Sequence, residues 1–544
     1  MDLEKTNSGE TTSCWMNVDP ILPPQGQKDL RCDVCVVGAG IAGLTTAYFL
    51  AKEGKSVIVL DMGPIAGGQT GRTTSHLTWA MDDGFSDLIK HHGVEKSALY
   101  VQSHREAINL MENIISEELI DCDFERVDGH LFLGPNEEVD YLQKELQSIH
   151  KLGFQNVDLK NSIPHLSFDA GANLVFPRQA QLHPIKYMNG LANAIERYGG
   201  QIYIHEKVKQ MEEADVCKIT LEGGSQITAS NLVVASNSPI NDRFVIHTKQ
   251  APYRSYAVAA LIPKDSVPLA LYWDTADPYH YIRVAKDDGS EFESDLYDLL
   301  IVGGEDHKTG QGSDPHEHFL ALERWARHHF PMILSFRNHW SGQVWETVDG
   351  IAYIGLNPGD EKTYIATGDS GQGMTHGTIA GRLLTDLIMD RSNAWTEVYN
   401  PSRWKLNSSF EYLKENLNVA FQYKDYFKNS EVESIESLKS GEGAVLQKGI
   451  RKIAVSKNER GVVTELSAVC PHLGGIVHWN SVEKSWDCPC HGSRFACDGS
   501  VITGPSLSGL EAAYPADEKD PAYFQKAVSK SQKKSKKQPP EKSF

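Results

Sequence analysis

Near its C-terminal end the 544-residue chain places Cys470 and His472 as CxH and, fifteen residues later, Cys488 and His491 as CxxH. Thiolates and imidazoles bind borderline and soft transition metals, so this quartet reads as a metal site. Two arrangements suit it. All four could hold one tetrahedral zinc, or two cysteines could hold one iron of a two-iron, two-sulfide cluster and two histidines the other. The alternation of Cys with His within each pair favours the cluster. Cys490, between the last two ligands, is expected to be no ligand, and His478 is expected on a loop surface.

A second chemistry lies in the first half. Gly38, Gly40 and Gly43 form GxGxxG between an apolar strand and a helix with small residues on its packing face, and Asp61 follows eighteen residues beyond Gly43. The first glycine permits a tight turn, the second lets backbone approach a pyrophosphate, and the third allows close helix packing. The helix N-terminus attracts the anion and Asp61 can accept hydrogen bonds from the ribose. Two further segments, "GGQTGRTTSHLTW" (67–79) and "YIATGDSGQGMTHGTIAG" (364–381), suit a flavin. In the second, a helix starting near Met374 would aim its positive end at a flat ring and favour the anionic reduced form.

The elements that must carry these residues divide the chain. Residues 1–30 read as an arm over the first domain and 31–392 as a dinucleotide-binding oxidoreductase. Its α/β part covers about 31–95, 170–250 and 335–392; an inserted antiparallel-sheet substrate domain covers about 96–169 and 251–334. A linker at 393–429 leads to a small all-β domain at 430–515, and the lysine-rich tail 516–544 is expected to be disordered. Hydrophobic residues at 40% and charged residues at 23% are ordinary for a soluble globular chain. The net charge of −19 argues against a nucleic-acid partner. No apolar run is long enough to span a membrane, and the start lacks a signal-peptide layout, so the cytoplasm is expected. The odd count of nine cysteines fits no secreted disulfide framework, and Cys32 and Cys35 on one strand are not expected to form a redox pair.

With "LVVASNSPINDR" and "VDGIAYIG" between them, the glycine-rich segments resemble the D-amino-acid-oxidase-like flavoprotein superfamily across most of 31–390. The resemblance implies FAD at Gly38, Gly40, Gly43 and Asp61, at Arg72, Thr73 and Thr74, at Val208 by backbone, and at Gly371, Gln372, Gly373 and Met374. Without a cysteine in the last segment, and with His76 offset from the histidine pattern of covalent relatives, the FAD is expected to be non-covalent. "CPHLGG", "CPCHGSRF" and "DGSVITGPSLSGL" resemble the two binding loops and the proline loop of Rieske domains, which implies a 2Fe-2S cluster on Cys470, His472, Cys488 and His491. The high-potential relatives carry a loop disulfide and a tyrosine hydroxyl near the cluster. Here Gly475 and Phe495 occupy those positions while Ser493 is kept, which implies a lower potential.

This pairing resembles a subgroup of putrescine-derivative oxidases and amino-acid dehydrogenases with a C-terminal Rieske domain. It implies oxidation of an amine or amino-acid C–N bond at the flavin, then one-electron transfer through the cluster to an external acceptor. Tyr253, Arg254, Tyr256, Tyr281 and Arg283 are candidate substrate residues, an arginine clamping a carboxylate; no catalytic acid or base is assigned. Two other readings stand beside it: an NAD(P)H-driven reductase, which should need a second dinucleotide site, and a redox-sensing interaction protein without turnover.

Overall fold

The computed structural model describes residues 8–18, 21, 30–81, 84–241, 246–286, 296–312, 314–403 and 409–514; the lysine-rich tail and most of the arm's remainder lie outside them. Four parallel strands run side by side, Gln226–Val234, Leu30–Val37, Val57–Leu60 and Gln201–Tyr203, with Thr363–Thr367 parallel beyond the first and Tyr353–Leu356 antiparallel at the edge. From Val34 to Val37 the central strand is apolar and buried on both faces, as a strand covered on both sides must be. Over it the helix Ile41–Lys52 packs against the helix Gly373–Ile388. A Cβ at Gly377 would lie 2.6 Å from Ile41 Cγ2 and one at Gly381 2.4 Å from Thr45 Cγ2. The small residues of "GTIAG" therefore set how closely the two helices approach.

A second, nine-stranded sheet follows the order Ser335–Thr347, Gln250–Pro263, Tyr297–Lys308, His280–Lys286, Leu271–Asp274, Glu125–Phe132, Asn173–Gln181, His76–Leu77, with Asp158–Lys160 beside the seventh. It is antiparallel except where Leu271–Asp274 runs parallel to Glu125–Phe132. Period-two alternation on Gln250–Pro263 sends Tyr256, Val258, Ala260 and Ile262 to one core, shared with the helix Pro315–His329, and Ala257, Ala259 and Leu261 to the other. This sheet also takes in Asn173–Gln181 and Ser335–Thr347, which the sequence boundaries gave to the dinucleotide domain. An apolar run does not reveal which sheet it joins.

The C-terminal domain is two small antiparallel sheets, Gly443–Lys448, Arg451–Lys457, Val463–Ser467 and His478–Asn480, Ser485–Asp487, Arg494–Ala496, Val501–Thr503. Within the expected linker the helix Ser409–Gln422 and a 3-10 turn, Tyr423–Phe427, lie against this domain: Tyr423 and Tyr426 donate to the carbonyls of Leu473 and Gly474 at 2.5 and 2.7 Å.

Candidate functional site: a flavin cavity and a cluster joined by a buried seam

A cavity of about 320 Å³ opens at the ends of the parallel strands and runs to the second sheet. Gly38, at φ +115°, makes the turn, and a Cβ there would fall 2.4 Å from the Ala235 carbonyl oxygen. A Cβ at Gly43 would lie 1.8 Å from the Gly38 carbonyl oxygen, so the third glycine lets the helix start directly under the turn. Asp61 ends the next strand. Its carboxylate accepts from the amides of Ala39 (2.7 Å) and Gly63 (2.8 Å), and burial pushes it up to about 6 against their pull. Gly40, Thr73, Thr74, Val208 and Gly371 through Met374 border the same cavity, with the N-terminus of the helix Gly373–Ile388 turned to it. Gln372 donates to the Ala80 carbonyl, while its buried Oε1 finds no protein donor among the described residues. A glycine cradle, an acid at the strand end, a helix N-terminus and an orphaned amide oxygen fit a flavin dinucleotide.

The two cysteine–histidine loops are built alike. In the first, the Cys470 amide donates to the Gly475 carbonyl (2.8 Å) and the Gly474 amide to the Cys470 carbonyl (2.9 Å). In the second, the Cys488 amide donates to the Ser493 carbonyl (2.8 Å) and the Gly492 amide to the Cys488 carbonyl (3.0 Å). Gly474 and Gly492 occupy equivalent places at φ +79° and +67°, which favours glycine at both. The loops set Cys470 and Cys488 within thiol hydrogen-bonding reach and the rings of His472 and His491 5.2 Å apart. Burial, with His472 and His247 alongside, takes His491 down to about 3, the neutral imidazole that metal ligation requires. Paired sulfurs beside paired imidazoles fit a cluster with one iron on each pair. Cys490 is buried against Gly475, Ser493 lies at the Cys470 sulfur, and Phe495 is fully buried.

The remaining sequence candidates divide between the cavity border and places away from it. Arg72 borders the cavity, but its guanidinium turns away: Nη1 donates to Glu483 Oε1 (3.0 Å), the Ser341 carbonyl (2.7 Å) and Thr11 Oγ1 (2.8 Å). Arg254 is no carboxylate clamp in this arrangement. It is 1% exposed, donates to Ser341 Oγ at 2.7 Å, and lies 3.7 Å from Glu483 and 3.8 Å from Asp487. Arg283 donates to the carbonyls of Thr74, Ser75 and Leu182 and so braces the flavin loop. Tyr253 stacks under Lys308 and does not border the cavity. Tyr256 borders it, but its hydroxyl pairs with His307 Nε2 (2.9 Å). Tyr281 also borders the cavity, with its hydroxyl 2.8 Å from Ser255 Oγ, beside Tyr279 and Trp273. His76 borders it too, neutral because burial takes it down to about 3. His478 is no simple loop residue: its Nε2 meets Asp425 Oδ2 at 2.7 Å, and those two carboxylates, Asp425 and Glu431, outweigh burial and raise it to about 9.

What sequence reading missed is the seam. Glu483, with no exposed side-chain surface, Asp487 and Arg494 of the C-terminal domain interlock with Arg72 and Arg254 of the oxidoreductase half. The arm is threaded between them: Thr11 donates to Glu483 through its amide (3.1 Å) and hydroxyl (2.5 Å), and Arg494 donates to the Ser8 carbonyl (2.6 Å). Val501 to Gly504, Ser506 and Leu507, in and around the proline loop, form part of the cavity wall.

Residues 33–387 match the FAD dependent oxidoreductase family and 429–515 the Rieske [2Fe-2S] domain, so the chain belongs to the FAD-dependent oxidoreductases of D-amino-acid-oxidase type and carries a Rieske domain behind them. Its cofactors are accordingly FAD and a 2Fe-2S cluster. Among its relatives, the Bacillus subtilis protein YhfW, named for a Rieske 2Fe-2S iron-sulfur protein, is 30% identical over 90% of this chain and 94% of its own length. Gamma-glutamylputrescine oxidoreductase of Escherichia coli is 24% identical over 66% of this chain and 84% of its own. The crystal structure of glycine oxidase from Geobacillus kaustophilus shares the fold, with a TM-score of 0.58 and 20% identity over 69% of this chain and all of that one. No helix among the described residues is long and apolar enough to cross a membrane.

Proposed function

We propose that the chain oxidises the C–N bond of an amine and delivers the electrons through its Rieske domain to an external one-electron acceptor. Bound FAD supplies the hydride acceptor for the carbon next to nitrogen, and the cluster supplies a one-electron carrier. The protein's own part is to shape and dry the cavity. Tyr281, Tyr279, Ser255 and Trp273 border the cavity along with the glycine cradle, and the Rieske proline loop forms part of its wall. The observation that carries the reading is that one cavity is bordered by the flavin segments and the Rieske domain together. An amine is favoured over an α-amino acid because both candidate arginines are committed, Arg254 to the seam and Arg283 to backbone carbonyls. The test is anaerobic mixing of the holoprotein with panels of amines, amino acids and NAD(P)H. Amines are expected to bleach the flavin and then raise the spin signal of the reduced cluster; bleaching by NAD(P)H alone overturns the proposal.

A further inference from the structure

The histidine-bearing side of the cluster site faces into the molecule, against the oxidoreductase half. Gln343, 2% exposed on the strand Ser335–Thr347, borders the flavin cavity, and its Nε2 donates at 3.0 Å to the carbonyl of Gly492, the residue directly after His491. Its backbone is pinned as well, the amide donating to Gln69 Oε1 at 2.7 Å. A Cβ at Gly492 would lie 2.4 Å from Gln343 Nε2 and 2.6 Å from Pro252 Cβ, so the approach depends on glycine. Beside it the ring of His247 stands 5.2 Å from His472 and 6.3 Å from His491, held by a 3.0 Å contact between its Nε2 and the Pro239 carbonyl. One side chain thus spans the wall between the cavity and the second cluster loop.

We propose that Gln343 is the positioning residue of the internal electron route, fixing the loop that carries His491 against the flavin cavity so that electrons reach the cluster from its histidine side. This rests on the reading that the flavin feeds the cluster. Each transfer moves one electron and no atoms: the reduced flavin loses one electron and one ferric ion of the cluster becomes ferrous. The flavin's second electron follows after the cluster has given its first to the external one-electron acceptor.

The test needs no amine. Photochemically generated 5-deazariboflavin radical, at less than one equivalent, reduces the flavin of the anaerobic full-length holoprotein, and the decay of the flavin signal is followed with the rise of the cluster signal. Gln343→Leu is expected to slow that internal transfer roughly tenfold or more, the scale on which supporting partners of metal sites act. FAD content, cluster midpoint potential and the reduced-cluster spin spectrum stay as in the unmodified protein, and hydrogen exchange rises at 488–493. Gln343→Asn, one methylene too short to reach Gly492, should behave like Leu. An unchanged transfer rate in both variants overturns the proposal, as does a slowed rate accompanied by FAD loss or a shifted potential, which marks a structural role. If electrons placed on the unmodified flavin never reach the cluster, the flavin-to-cluster reading itself falls, and that result is distinguishable from failure of the Gln343 variants.

Discussion

Removing the Glu483 carboxylate is the sharpest perturbation of the seam. The network holds three guanidinium groups, Arg72, Arg254 and Arg494, against two carboxylates, Glu483 and Asp487, a surplus of one positive charge. Glu483→Ala raises the surplus to two and leaves Arg72, with 1% of its side chain exposed, without its 3.0 Å partner. Burial alone would raise the Glu483 carboxyl, yet the three arginines hold it below the usual carboxylate range, so the charged form is the one the seam uses. Breaking a buried pair from one side costs about 3–5 kcal/mol, and at about 1.4 kcal/mol per factor of ten the seam should open at least 100-fold more often. Native-state hydrogen exchange reads this directly at the arm around Ser13–Asn17 and at the flavin loop around Gln69–Ser75. Arg72→Met with Glu483→Met should recover much of the loss, because removing one charge of each sign returns the surplus to one, as in the unmodified seam. Unchanged exchange in Glu483→Ala at both segments would refute the reasoning that this pair fastens the two halves.

Three further outcomes are expected. His478 has a folded pKa raised to about 9 from 6.5, so its pairing with Asp425 and Glu431 stabilises the linker's hold fully below about pH 6.5 and is lost as pH rises through about 9; His478→Gln should flatten that slope in a pH series of proteolysis at 423–431. Phe495→Tyr, on the buried strand beside the cluster loops, should raise the midpoint potential by adding a donor that favours the reduced form; a potential that stays or falls in a redox titration contradicts this. Asp61→Ala should weaken FAD binding roughly 10- to 100-fold, the scale of about 1.5–3 kcal/mol for a hydrogen bond to a charged group, read as flavin released on gel filtration.

The sequence was most legible where a function is carried by local spacing. The glycine turn and each cluster loop are built from neighbours within a few residues, and in the structure Gly38, Gly40 and Asp61 border one cavity while the two loops repeat the same backbone bonds. The arginines were legible as charges but not as partners. Arg72 meets Glu483 across 411 residues of chain, and nothing near "NSVEKSW" distinguishes a buried acid from a surface one. Arg254 and Arg283 read as substrate clamps because the inserted sheet is expected to hold the substrate, and both do lie on strands of the nine-stranded sheet. The direction of each side chain was settled by a network from three separate parts of the chain. Gln343 and His247 carried no signal at all, since each matters only through a loop more than 140 residues away.

The threaded arm also fixes an order of assembly. Thr11 bonds to Glu483, 472 residues further on, and Ser8 to Arg494, 486 further on. At roughly 5–20 residues per second, ribosomal synthesis separates Thr11 from its partner by about 25–95 s. During that interval the oxidoreductase half exists without its far wall. Ser13 and Trp15 can bond to Gly71 and Thr73 within that half, but the bonds of Ser8 and Thr11 form only once the Rieske domain has arrived.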